Sequence, residues 1–161
     1  MIKGQHGQPK KKKRKQKAVG DQQTEAKGAA ALESLRQAIA EGHTVAALAI
    51  YQKAEQTPGL WQTPETDLLG LIKLLHAEQR FVESVPVMEQ YIHRFPQKTA
   101  RVRLKLAQIL IRDLQRPAHA LRVLTEIPAA GLPAELEQLR QQLERKANQM
   151  RAEGVLELEG L

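Results

Sequence analysis

The chain has 161 residues, no cysteine, and aromatic residues at only 3% of its composition. This length is typical of one domain that buries its own core, and the absence of cysteine excludes disulfide frameworks and thiolate metal sites. Alanine, leucine, glutamine, glutamate, arginine and lysine dominate, and strand-favouring residues are few. The composition therefore predicts an all-α protein.

The net charge of +7 is unevenly distributed. Residues 1–28 carry nine basic and two acidic side chains, whereas the sequence from residue 29 onward carries sixteen of each. The body is therefore electrically balanced, which argues against a nucleic-acid platform spread over its whole surface.

Residues 1–28 are predicted to form a disordered basic arm, because Val19 is their only large apolar residue after Ile2. Seven of its nine basic residues form a clustered run, namely Lys10, Lys11, Lys12, Lys13, Arg14, Lys15 and Lys17. Such a run is typical of a nuclear import signal, of an arm that contacts RNA, DNA, ribosomes or anionic lipid, or of a solubilising tail without a partner. No aromatic residue is interleaved with these charges, which disfavours recognition of single strands.

From Ala29 onward, apolar residues recur at helical spacing and are interrupted by glycine and proline. The pattern predicts helix hairpins at about 29–57, 64–95 and 99–127, a capping helix at about 133–152, and a flexible tail over 154–161. Pro86 is awkward inside the second hairpin. We expect its helix to start near Glu83 or Ser84, so that the proline falls in the first turn.

Three small residues are each followed, four positions later, by a larger apolar one. The pairs are Ala47 with Tyr51, Ser84 with Met88, and Ala120 with Leu124, and the small residues lie 37 and 36 positions apart. A fixed period in this range is typical of stacked two-helix repeats.

The hairpins resemble tetratricopeptide repeats, with HEAT-like and other helical solenoids as the nearest alternatives. The residues that carry this resemblance are Gly42, Ala47, Tyr51, Ala54 and Pro58 in the first hairpin, Leu68, Leu71, Phe81 and Pro96 in the second, and Leu106, Ala107, Pro117 and Ala120 in the third. The resemblance implies that residues 29–153 form a short right-handed α-solenoid of about three hairpins plus the capping helix.

In that family a groove lined by the first helix of each pair holds a peptide or a partner helix. The resemblance places the groove at Leu32, Arg36, Ile39, Leu69, Lys73, His76, Lys105 and Arg112. The lysine and asparagine set with which co-chaperone members grip a terminal carboxylate is missing, since Asn148 is the only asparagine. The implied function is a protein-interaction adaptor or scaffold. The alternative is a nucleic-acid- or ribosome-associated protein whose arm is the main binding element.

Catalysis is not expected. The five histidines fall at unrelated places in the repeat, and no zinc-protease, nucleophile-elbow, phosphate-loop or dinucleotide motif occurs. We therefore predict no enzyme activity, no catalytic residue, no metal and no cofactor, and we interpret His76 as a solvated polar residue. Trp61 either anchors a partner or folds back over the seam between hairpins, and we favour the second interpretation.

No apolar stretch approaches the roughly 20 residues that a membrane-spanning helix requires. The first residues also lack the apolar core of a signal peptide. The sequence therefore predicts a cytoplasmic location, or a nuclear one if the host is eukaryotic and the arm acts as an import signal.

Overall fold

The computed structural model describes Gly4 and residues 10–157, without the side chains of residues 10–19. The described residues contain seven α-helices and one 3₁₀ helix, and they contain no strand. The helices are α1 (Lys10–Ala40), α2 (Thr44–Gln56), α3 (Glu65–Ala77), α4 (Phe81–Arg94), the 3₁₀ helix Pro96–Lys98, α5 (Ala100–Arg112), α6 (Pro117–Thr125) and α7 (Ala134–Ala152). The prediction of an all-α protein is confirmed.

The chain divides into two compact units, Met1–Asp67 and Leu68–Leu161, with the boundary inside α3. In the first unit α1 packs against α2. Its core is formed by the buried residues Leu35, Ala38, Ala47, Leu48, Tyr51 and Ala54. In the second unit α5 contacts α4, α6 and α7, and α6 also contacts α7.

Helix α1 begins at Lys10, whereas the sequence predicts the first hairpin from about residue 29 and a disordered arm before it. Lysine, glutamine and alanine, which dominate this segment, are good helix formers, and this composition favours the extension. Residues 20–27 are all exposed. This stretch gains no stability from tertiary packing, so its helicity depends on intrinsic propensity alone.

All six residues of the small and large pairs are buried. Ala47, Ser84 and Ala120 have no exposed surface, and the larger partner in each pair is at most 5% exposed. The sequence pattern therefore identified core positions in both units.

Each helix pair turns through one residue with positive φ. These residues are Gly42 (φ 71°), Gln79 (φ 57°) and Gln115 (φ 51°), which lie 37 and 36 positions apart like the small residues. The following N–H closes the turn in the first two pairs, where His43 donates to the Ala38 carbonyl and Arg80 to the Leu75 carbonyl. The turn therefore recurs with the period of the sequence, although glycine occupies it only once.

Helix α4 begins at Phe81, so the predicted start near Glu83 or Ser84 is wrong, and Pro86 lies inside the helix. Arg80 pairs with Glu83 at its first turn, and an acidic residue there is favourable at the positive end of the helix dipole. Proline cannot donate to the carbonyl four residues earlier, that of Val82. Val82 and Pro86 are both exposed, so the missing hydrogen bond lies on the solvent-facing side of the helix, where it is tolerated.

Candidate partner-binding surfaces

The predicted groove residues of the first unit, Leu32, Arg36 and Ile39, lie on one face of α1. Leu32 and Ile39 are half-buried. The Arg36 guanidinium is already engaged, because its Nε and Nη2 donate to the two carboxylate oxygens of Asp67 at 3.0 and 3.1 Å. This hydrogen bond raises the pKa of Arg36. Arg36 therefore ties α1 to the first turn of α3, a structural role that the sequence interpretation missed.

The predicted residues of the second unit lie on α3 and α5. Leu69, Lys73 and His76 share one face of α3, because they are spaced by four and three positions. Leu69 and His76 are half-buried, whereas Lys73 and, on α5, Lys105 and Arg112 are exposed. The second unit thus presents cations from two helices, beside half-buried side chains on α3.

His76 is more than the solvated polar residue that the sequence suggests. Its Nε2 lies 3.1 Å from the Ser84 hydroxyl, which itself donates to the Phe81 carbonyl at 2.8 Å. A serine hydroxyl has one proton to donate. His76 Nε2 must therefore be the donor to Ser84, which leaves the lone pair of the neutral ring on Nδ1.

Burial lowers the pKa of His76, and the nearby positive charge of Lys105 lowers it further, while Asp113 acts in the opposite direction. The structure therefore brings His76 and Lys105, two residues of the predicted groove, into electrostatic contact. At neutral pH the imidazole is uncharged, and the positive charge of this surface comes from lysine and arginine.

We expect NMR titration of the full chain to show a His76 midpoint below the ordinary value of about 6.5, with Nε2 protonated in the neutral ring. Lys105→Gln should raise the midpoint. Arg101→Gln removes a charge of α5 that is not among those shifting the pKa of His76, and it should leave the midpoint unchanged.

Because the pKa of His76 is lowered in the folded state, the unfolded chain binds the proton more readily than the folded one. The contribution of His76 to stability is complete above about pH 6.5 and is lost as the pH falls below it. A midpoint at or above 6.5 would contradict this assignment.

A cleft of about 460 Å³ lies among α4, α5 and α6, where the sequence predicted no site. His93 and His119 both line it, although the histidines seemed unrelated in the repeat. His119 Nε2 lies 3.1 Å from Glu89 Oε1, and Arg103 pairs with Glu126. Charges of both signs therefore face each other across this cleft.

A second cleft, of about 530 Å³, lies between α5 and α7 and contains the predicted residue Arg112. Ile111, Leu143 and Met150 give it an apolar floor, and they are nearly buried. Arg112 and Lys146 are exposed at its margin, and Glu153 also lines it. An apolar floor with charged margins is typical of a surface that accepts an amphipathic segment.

Trp61 packs back onto its own unit. An added Cβ at Gly28 of α1 would lie 2.4 Å from the Leu60 carbonyl oxygen and 3.5 Å from Trp61 Cβ. Trp61 is half-buried. The loop between α2 and α3 therefore lies directly on α1 at Gly28.

The seven residues of the basic run lie within α1, and their side chains are outside the described part of the chain. Among the described residues, no group of histidine, aspartate or glutamate side chains could hold a metal ion. No helix in the described part combines the length and the hydrophobicity that crossing a bilayer requires.

Comparisons with protein-family models, with curated proteins and with solved structures found no match to this chain.

Proposed function

We propose that the protein is a non-catalytic interaction adaptor or scaffold that uses no cofactor. Its helix pairs are proposed to be TPR-like repeats in a short right-handed solenoid that holds a peptide or a partner helix. The α5–α7 cleft carries the proposal, because it combines an apolar floor with exposed cations in a body whose formal charges sum to zero. We propose the cytoplasm as its location, or the nucleus if the basic run acts as an import signal.

Two exposed lysines of the second unit, outside the lining of this cleft, support the same proposal. Lys73 on α3 and Lys105 on α5 are both exposed, and their charges would attract the acidic residues of a partner. The basic arm adds longer-range attraction to an anionic partner, and this attraction would weaken with salt.

The second candidate is a nucleic-acid- or ribosome-associated protein, in which the arm does the main binding. The observation in its favour is that the whole formal excess of +7 lies in residues 1–28. Each basic residue that neutralises a phosphate releases a counterion, so this binding would depend steeply on salt but little on sequence.

Deletion of residues 1–27 distinguishes the two candidates. None of the described side chains in that segment is buried, so the deletion should leave the packed helices intact. We expect partner capture from the native host to persist in the deleted chain and to survive RNase. Capture should weaken in a Lys73→Glu, Lys105→Glu double variant.

Two controls make this experiment specific. A full-length chain with the seven cations of the basic run changed to glutamine separates the loss of their charge from the loss of length. Lys53→Glu, at an exposed site on α2, should leave capture unchanged. Complete loss of capture on arm deletion, together with sensitivity to RNase, would favour the second candidate.

A further inference from the structure

The segment after α7 leaves the helix through a tight turn. Gly154 adopts a φ of 81°, which is unfavourable for residues with a side chain. The Gly154 N–H donates to the Arg151 carbonyl and the Val155 N–H donates to the Met150 carbonyl, each at 3.1 Å. This arrangement is a Schellman-type helix end, and it reverses the chain direction toward α5 and α6.

Glu157 then binds the first turn of α6. Its carboxylate accepts the Ala118 N–H at 2.7 Å and the His119 N–H at 3.0 Å. Helix α6 lacks a local cap, because Arg116 at its N-cap position makes no side-chain capping bond. The first N–H groups of a helix need an outside acceptor, and a carboxylate also complements the positive end of the helix dipole. A residue 38 to 39 positions away in sequence therefore supplies the cap of α6.

The residues between these two anchors lie beside the α5–α7 cleft. Val155 is half-buried and lines the cleft with Ile111 and Gln115. Leu156 is 87% exposed and contributes little to holding the segment in place. Beyond the turn at Gly154, the main polar attachment of the segment is the carboxylate of Glu157.

We infer that residues 154–157 form a strap that closes one end of the α5–α7 cleft, and that the contact of Glu157 with α6 sets how much of the time it is closed. Release of the carboxylate leaves Val155 held only by its N–H bond to the Met150 carbonyl. Its side chain can then leave the cleft, which opens access to Ile111 and Met150. The same release removes the cap of α6. The cleft entrance and the first turn of α6 are therefore coupled.

The strap conflicts with the prediction of a flexible tail over 154–161. For residues 154–157 the structure shows a segment anchored at both ends, and residues 158–161 lie outside the described part. That prediction rested on the terminal position of the segment. Gly154 signals the helix end in the sequence, but the partner of Glu157 is distant.

This inference rests on the proposed function only in treating the cleft as a binding surface, and it is testable with no partner present. The chain has no cysteine, so one introduced thiol reports alone. Val155→Cys places the thiol at the cleft, and Leu156→Cys provides an exposed reference at the next position. Each cysteine variant is made twice, once with Glu157 retained and once with Glu157→Gln. The rates of thiol labelling by iodoacetamide are then measured under native conditions.

We expect the thiol of Val155→Cys to react several-fold more slowly than that of Leu156→Cys while Glu157 is present. Glu157→Gln should bring the first rate toward the second and leave the second unchanged. Equal rates in the presence of Glu157, or no response to Glu157→Gln, would overturn the strap.

Hydrogen exchange supplies a second measurement without an introduced thiol. In Glu157→Gln the amides of Ala118 and His119 should exchange about tenfold faster, since they lose a charged acceptor. The amide of Val123, deeper in α6, should keep its protection. Glu157→Gln could instead remove protection throughout α6 while the thiol of Val155→Cys still reacts slowly with iodoacetamide. Glu157 would then be a helix cap without a strap, and this result would also overturn the inference. Failure of partner capture with a normal strap response would count only against the proposed function.

Discussion

Ala47→Leu is expected to lower the free energy of unfolding of the first unit by about 1–3 kcal/mol, the usual cost of forcing extra methylenes into a filled core. Ala47 has no exposed surface, and it lies in α2, which packs on α1. Its neighbour Ala46 is exposed in the same helix. Ala46→Leu adds the same atoms in water and should change stability by about 0.5 kcal/mol or less.

Urea unfolding followed by Trp61 fluorescence measures this effect in the unit concerned, because Trp61 is the only tryptophan. Ala120→Leu provides the corresponding test in the second unit, where Ala120 is equally buried. Circular dichroism would follow that transition. If Ala47→Leu and Ala46→Leu unfold at the same urea concentration, the buried small residue does not face a packed helix, and the repeat interpretation loses its physical basis.

Gly28→Ala should also destabilise the first unit, although alanine is the better helix former. The new Cβ would lie 2.4 Å from the Leu60 carbonyl oxygen, so either α1 or the loop must move. We expect a net loss of about 1–3 kcal/mol from this overpacking. The altered loop should also change the emission of Trp61, whose Cβ lies 3.5 Å from the same point.

Gly20→Ala is the matched control in the same helix. An added Cβ at Gly20 meets nothing within 4 Å, so only intrinsic propensity acts, and it favours alanine by about 1 kcal/mol. This variant should raise the helical signal in circular dichroism without lowering the unfolding midpoint. Equal stabilisation by both substitutions would show that the loop does not lie against α1 at Gly28.

Much of the fold was predictable because its signals are local. Gly42, Pro96 and Pro117 lie at or next to the ends of helices, and periodic apolar residues set the faces between such boundaries. The start of α4 was misplaced because the cost of a proline inside a helix was expected to keep Pro86 in the first turn, whereas the exposed side of α4 tolerates it. Gln79 and Gln115 also escaped prediction, since a positive φ is normally inferred from glycine.

The candidate surfaces were less predictable because they depend on distant partners. Arg36 was predicted to line the groove, but its guanidinium binds Asp67, which lies 31 positions away in the sequence. His76 acquires its tautomer from Ser84 and its lowered pKa from burial and Lys105. The sequence positions of Arg36 and His76 do not indicate these partners. The resemblance indicates which face of each helix lines a groove. It does not indicate which side chains on that face already bind other residues of the same chain.

In the proposed function the packed helices, rather than the basic arm, hold the partner. Lysine-reactive crosslinking of the complex captured from the native host, with mapping by mass spectrometry, distinguishes these two binding elements. We expect partner crosslinks at Lys73, Lys105 and Lys146, and we expect them to persist after residues 1–27 are deleted and after RNase treatment. Crosslinks confined to Lys10–Lys17, and lost on RNase treatment, would contradict the proposed function.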